Sequence, residues 1–188
     1  MKNEKTIYFA TREEWRQWLQ ENFDKETGVW LVYPKKNSDK PRIPYSDAVE
    51  EALCFNWIDS TVRSLDEESS MQRFSPRNPK SSFSQLNKER LKWLLENDMM
   101  HPGFVEFARE VVSEEYVIPD YIIEELKKDE EVWENYQKFS DSYKRIRIAY
   151  IDSARSRSEI YKKRLAHFIR KTKANKLIKS YGSSEKYY

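Results

Sequence analysis

One cysteine, two histidines and three glycines in 188 residues remove several chemistries at once. A single Cys cannot form an internal disulfide, and neither His101 nor His167 has a Cys or a second His at ligand spacing, so no metal site is expected. Three glycines cannot build a phosphate-cradling loop, and no G-x-S-x-G elbow is present. No cofactor is implied. No apolar run approaches the roughly 20 residues of a spanning helix, and Met1–Tyr8 is too polar for a secretion signal. The reading is a cytoplasmic chain whose contact with a membrane is at most with its surface.

What is present is charge and aromatic surface. Charged residues make up 35% of the chain and mean hydropathy is −0.94, which alone would favour disorder. The 6 Trp, 12 Tyr and 9 Phe supply enough apolar area for a folded core. Net charge is +2, yet residues 143–180 carry 13 Lys and Arg against 2 Asp and Glu. The C-terminal helices therefore form a separate electrostatic object.

Hydrophobic spacing and turn residues divide the chain into elements. Ile7–Phe9 reads as a strand, and Thr11 with Glu14 as a capping box opening a helix whose face is Trp15, Trp18, Leu19 and Phe23. Val29–Tyr33, bounded by Gly28 and Pro34, is a strand. Ser46 is the expected N-cap of a helix running to Trp57, with Asp47 in its first turn. Asp59–Leu65 and Met71–Ser75 form a hairpin around an acidic turn, with Val62, Leu65, Met71 and Phe74 facing inward. Ser82 or Ser84 caps the next helix, and a short helix ends at Val112. Beyond Pro119 the pattern is helical throughout, with starts at Asp120, Asp129 and Ser140 and a capping box of Ser156 with Glu159. The implied architecture is α+β: a small sheet of about four strands with packed helices over residues 1–112, a helical segment over 113–180, and a frayed tail over 181–188.

The run Val29-Trp30-Leu31-Val32 with Lys35-Lys36, the stretch Tyr45–Ser60, the segment Arg73–Ser84 with Asn87, and the C-terminal Tyr143-Lys144-Arg145, Ile151–Ala154 and Lys163-Arg164 together resemble the bacterial YdeI/OmpD-associated family, also called bacteriocin-protection proteins. The family pattern Ala-Leu-Cys-Phe-Gly-Trp-Ile-Asp is broken here by Asn56, and Phe83 stands where Trp is usual. Asn tolerates positive φ, so Asn56 marks a helix end. The resemblance implies tolerance of antimicrobial peptides and a link to a porin, with no defined reaction.

Each constellation has a structural and a functional reading. Trp30, Tyr45, Cys54, Phe55 and Trp57 read as core, with Cys54 a small buried hydrophobe rather than a thiolate. Asp47, Glu50 and Glu51 share one helix face, either solvated or a cation or acid/base site. Lys35, Lys36, Asp59, Arg73, Arg77, Ser82 and Ser84 fall at strand ends or a helix start. Together they suggest a small-anion pocket, or else structural ion pairs. The basic helices either complement acidic parts of the chain or contact nucleic acid or an anionic membrane surface. The favoured function is non-catalytic binding or stress protection. The alternatives are an enzyme for a small phosphorylated or carboxylated substrate, with Asp59 or Glu51 as acid/base and Lys36, Arg73 and Arg77 as stabilisers, and a nucleic-acid-binding module.

Overall fold

The computed structural model describes residues 4–35, 38–179 and 184–188. The fold is α+β, and the chain forms two compact units. The first contains the described residues up to Ser82 together with Leu94–Arg109; the second contains Phe83–Trp93 and the described residues from Glu110 onward. An expected boundary after residue 112 left Phe83–Trp93 with the sheet. This segment instead joins the C-terminal helices, because Glu89 pairs with Arg145 and Trp93 packs edge-on against Tyr187.

The first unit is built on a four-stranded mixed sheet of order β1-β2-β4-β3. Its strands are β1 (Lys5–Tyr8), β2 (Val29–Pro34), β3 (Trp57–Ser64) and β4 (Ser69–Pro76). β1 and β2 are parallel, joined through helix α1 (Arg12–Asn22), and the other pairings are antiparallel. The Thr11–Glu14 capping box forms in full, each side chain accepting from the other residue's backbone N–H. Helix α2 spans Tyr45–Cys54 and packs with α1 on one sheet face.

Alternation along the strands sorts the side chains. Val29, Leu31, Phe74 and Trp57 point to the helices and are buried, and Trp15 of α1 lies against Phe74 with ring centroids 5.3 Å apart. Trp30, Met71 and Arg73 take the other face. Trp30, expected in the core, is therefore half-buried, with the Arg63 guanidinium 4.8 Å above its ring.

Several expected boundaries move. The N-cap of α2 is Pro44 and not Ser46, because the fixed proline φ sets up the first turn two residues earlier; Ser46 is buried inside the helix. The helix stops at Cys54, and Asn56 at φ 55° turns the chain so that Trp57 begins β3 rather than ending α2. The β3–β4 hairpin forms, with a register shift between Asp59 and Val62. Val62 and Leu65 are exposed, and Gln72 and Phe74 of β4 are the buried residues.

In the second unit most of helix α3 (Gln85–Glu96) joins the end of α4 (Val105–Ser113), α5 (Asp120–Lys127), α6 (Glu130–Lys138), α7 (Asp141–Asp152) and α8 (Ser158–Lys173). Ser84 caps α3 by accepting from the Asn87 N–H, Asp129 caps α6 and Ser140 caps α7. Helix α8 begins after Arg157 without a side-chain cap, not at Ser156. The core holds Ile122, Leu126, Val132, Tyr136, Tyr143, Ile148, Ile151, Leu165 and Phe168. Within the tail expected to fray, Ser184–Tyr187 is a 3-10 turn and Tyr187 is buried, because Tyr187 packs on Trp93 and Tyr188 packs on Tyr143.

Candidate functional site

Of the cations expected to converge on an anion, the three described ones, Lys35, Arg73 and Arg77, are each engaged elsewhere. Arg73 forks onto Glu4 through Nε (2.8 Å) and Nη2 (2.5 Å) and donates to Ser75 Oγ (3.0 Å). This pair closes over Gly28, where a Cβ would sit 2.6 Å from Glu4 Oε1 and 2.7 Å from Arg73 Nη2, so a larger residue would push these two side-chain ends aside. Arg77 donates to the carbonyls of Ser81 and Ser82 (3.1 Å each), bracing its own loop. Lys35 Nζ donates to the Glu67 carbonyl at 2.6 Å. Ser84 spends its hydroxyl on capping α3, and Lys36 lies outside the described residues.

Asp59 is separated from Arg73 by the sheet itself. It lies opposite Phe74 in register, so its carboxylate points to the helix face while Arg73, one residue along β4, points to the other. Asp59 Oδ2 accepts from the Tyr45 hydroxyl (2.6 Å) and from Gln72 Nε2 (3.1 Å). Tyr45 is accordingly not a core residue; it is 38% exposed. Beside this group the Tyr33 hydroxyl is buried without a hydrogen-bond partner among the described residues. Burial first, then Tyr45 and Asp59, push its ionisation above the ordinary tyrosine value.

The acidic residues of α2 are not a solvated face. Glu50 and Glu51 are buried, Glu51 bridging Arg12 Nε (2.5 Å) and Arg16 Nη1 (2.6 Å) and Glu50 accepting from Arg12 Nη1 (3.0 Å). Cys54, buried next to Glu51, has its thiol pushed up to about 12 by burial and by that carboxylate. A thiol held in this state is protonated at neutral pH and is a poor nucleophile. Two results follow. Native Cys54 should resist a thiol reagent at pH 8 and react on unfolding. Because the folded state keeps a proton that the unfolded chain releases from pH 9 upward, stability should fall from there toward pH 12, with a slope approaching ~1.4 kcal/mol per pH unit for that group. Tyr136, pushed up to about 12 by burial, adds to the fall. Urea unfolding at pH 8 and pH 10 checks the sign; equal stability would mean that Cys54 is open to water.

None of the site residues expected from the sequence lines a concavity that the first unit presents. Where β1 runs into α1, an open groove of about 390 Å³ is lined by Tyr8, Phe9, Glu14, Gln17, Trp18 and Glu21, with Ala10 at one end. Trp18 is held rigid: it stacks on Trp15 (5.3 Å, 12°) and meets Trp57 edge-on (5.8 Å, 82°). Glu14, Gln17 and Glu21 recur at i, i+3 and i+7 and so line one side of the groove. Arg12 and Arg16 are drawn to the other flank of α1 by Glu50 and Glu51, which leaves the lining without a basic side chain. A signal was available in the sequence: Trp18 sits among three polar residues at helical spacing. Only the return of β1 past α1 makes it a groove.

These features define a two-unit α+β protein with an aromatic, acid-edged groove on the sheet unit and an all-helical unit rich in basic residues. Residues 7–106 match the family model described as a domain of unknown function, DUF8412, and the chain belongs to that family. Residues 115–175 match the model described as Bacteriocin-protection, YdeI or OmpD-Associated, so the resemblance to that family is carried by the helical unit. Within the matched stretch Tyr143 accepts from the Ile178 N–H (2.9 Å), Arg145 forks onto Glu89, and Asp152 accepts from the Tyr121 hydroxyl. No curated protein and no solved structure matches the chain. No helix among the described residues is long and apolar enough to cross a membrane, and none of their His, Cys, Asp and Glu side chains form a metal-holding group.

Proposed function

We propose that the chain is a non-catalytic binding protein that holds a cationic, amphipathic peptide segment in the Trp18 groove. The observation that carries this reading is a rigid indole beside Glu14 and Glu21 in a groove with no basic lining residue. An ammonium or guanidinium over a tryptophan face gains about 0.5–2 kcal/mol, and adjacent carboxylates add to it. Tyr8, 40% exposed, and Phe9 offer apolar surface to the neighbouring side chains of such a peptide. The description of the family matched over residues 115–175, bacteriocin protection, is consistent with a peptide ligand. The engagement of the acid/base candidates favours binding over catalysis: Asp59 is held by Tyr45 and Gln72, and Glu51 by two arginines.

Calorimetric titration with a short Lys/Leu-rich peptide tests this. Glu21→Lys, a change at an exposed position, should weaken binding about tenfold, equivalent to ~1.4 kcal/mol, without altering the melting temperature. The indole N–H resonance of Trp18 should shift in the parent on adding peptide. Equal affinity for the parent and for Glu21→Lys would overturn the groove as the binding site.

A further inference from the structure

We propose that the solvent face of α8 is a docking surface for the phosphate backbone of duplex nucleic acid. At 100° per residue Lys163, His167, Arg170 and Ala174 fall on one stripe, and all four are exposed. Leu165, Phe168 and Thr172, on the opposite side, are buried in the core of the unit. The helix is thus fixed by its apolar face and presents the basic one.

The cations of α8 divide into two groups. Those on the flanks of α8 are used: Lys173 pairs with Asp129 (2.6 Å), Lys162 with Glu159 (3.5 Å), and Arg164 donates to the Tyr150 carbonyl (2.5 Å) while lying 3.6 Å over that ring. The acidic start of α6 therefore reaches α8 at Lys173. Lys163, Arg170 and Lys171 have no carboxylate within ion-pair distance among the described residues. Unpaired cations on a rigid element are what a polyanion meets without first breaking an ion pair.

Geometry favours a phosphate backbone over a lipid surface. Lys163 and Arg170 are seven residues apart, a rise of about 10.5 Å along the helix, so the two cations can meet separate phosphates. Ala166 and Ala174, both exposed, leave the helix free to approach closely. A helix that binds a membrane surface buries its apolar face among acyl chains, and the apolar face of α8 is already committed to the core. The stripe carries no Asn, Gln or Arg pair set to read base edges, so binding through it is independent of sequence.

Fluorescence anisotropy with a labelled random-sequence DNA duplex tests the surface on the full chain. Three phosphate contacts predict a log–log salt slope near −2.7, so affinity should drop roughly 40-fold between about 50 and 200 mM salt. The double variant Lys163→Glu/Arg170→Glu, at exposed positions and with an unchanged melting temperature, should bind at least tenfold more weakly at low salt and with a slope near −1. The exposed Lys80→Glu, in the other unit, should bind as the parent does. If charge reversal perturbs folding, the neutral pair Lys163→Gln/Arg170→Gln gives the same test with a smaller loss. Parent-like binding by the folded double variant overturns the proposal. So does capture of the parent by phosphatidylglycerol-containing vesicles with no binding to duplex.

Discussion

Glu51→Ala should cost about 3–5 kcal/mol, the range for breaking a buried charge pair by removing one partner. Glu51 is 1% exposed and holds two guanidiniums, so its loss leaves Arg12 and Arg16 turned inward with half their acceptors gone. Arg12 keeps Glu50, and Arg16 keeps the Met99 carbonyl at 2.7 Å, which sets the lower end of the range. Burial lowers the ionisation of both arginines, but Glu51 outweighs it, so each is held above its ordinary value and stays charged. A charge that cannot be released must be paired or exposed, and exposing it means moving α1 from α2. Asp47→Asn is the control: Asp47 lies 3.8 Å from Arg12 and is partly open to water, so its loss should stay within about 1 kcal/mol. Urea unfolding of the two variants measures the difference. A loss below about 1 kcal/mol for Glu51→Ala would mean that water already reaches the pair.

Trp57→Ala should destabilise the sheet unit by about 3–5 kcal/mol. The side chain is 1% exposed, its indole N–H donates to the Phe23 carbonyl (3.0 Å), and its ring supports Trp18 edge-on. Alanine removes the ring, opens a cavity beneath the junction of α2 and β3, and leaves the Phe23 carbonyl without this donor. Against a total stability of about 5–15 kcal/mol, either loss takes a large share. The two variants differ in a way that separates their causes. Trp57→Phe should recover much of the packing energy, whereas Glu51→Gln cannot recover the charge that two guanidiniums require. Denaturant curves followed by far-ultraviolet circular dichroism check both. A Trp57→Ala protein melting within a degree or two of the parent would show that the ring is not a core element.

Trp57 links the fold to the groove. Trp18 lies between Trp15 and Trp57, so the surface offered to a peptide is only as rigid as the core beneath it. Loss of Trp57 should therefore weaken peptide binding along with stability, while Glu21→Lys should weaken binding alone. Measuring both properties on both variants distinguishes a groove that recognises charge from one that merely needs an intact core.

Local signals determined what is local. Thr11 with Glu14, the Gly28 and Pro34 that bound β2, Asn56 at the end of α2, and the caps Asp129 and Ser140 act over three or four residues, and each is legible in the sequence because its partner lies within a turn. Where two local signals competed, position was lost: Pro44 pre-empted Ser46, and the Ser156 box yielded to a start after Arg157. Tertiary structure alone decided the site. Val62 and Leu65, apolar in sequence, lie exposed at the far end of the hairpin, and strand alternation put Asp59 and Arg73 on opposite faces of the sheet. Arg12 and Arg16, more than 30 residues from Glu50 and Glu51, drew those carboxylates into the interior. The spacing of Asp47, Glu50 and Glu51 on one helix face was visible from the start; which way that face points depends on what packs against it, and no spacing along the chain encodes that.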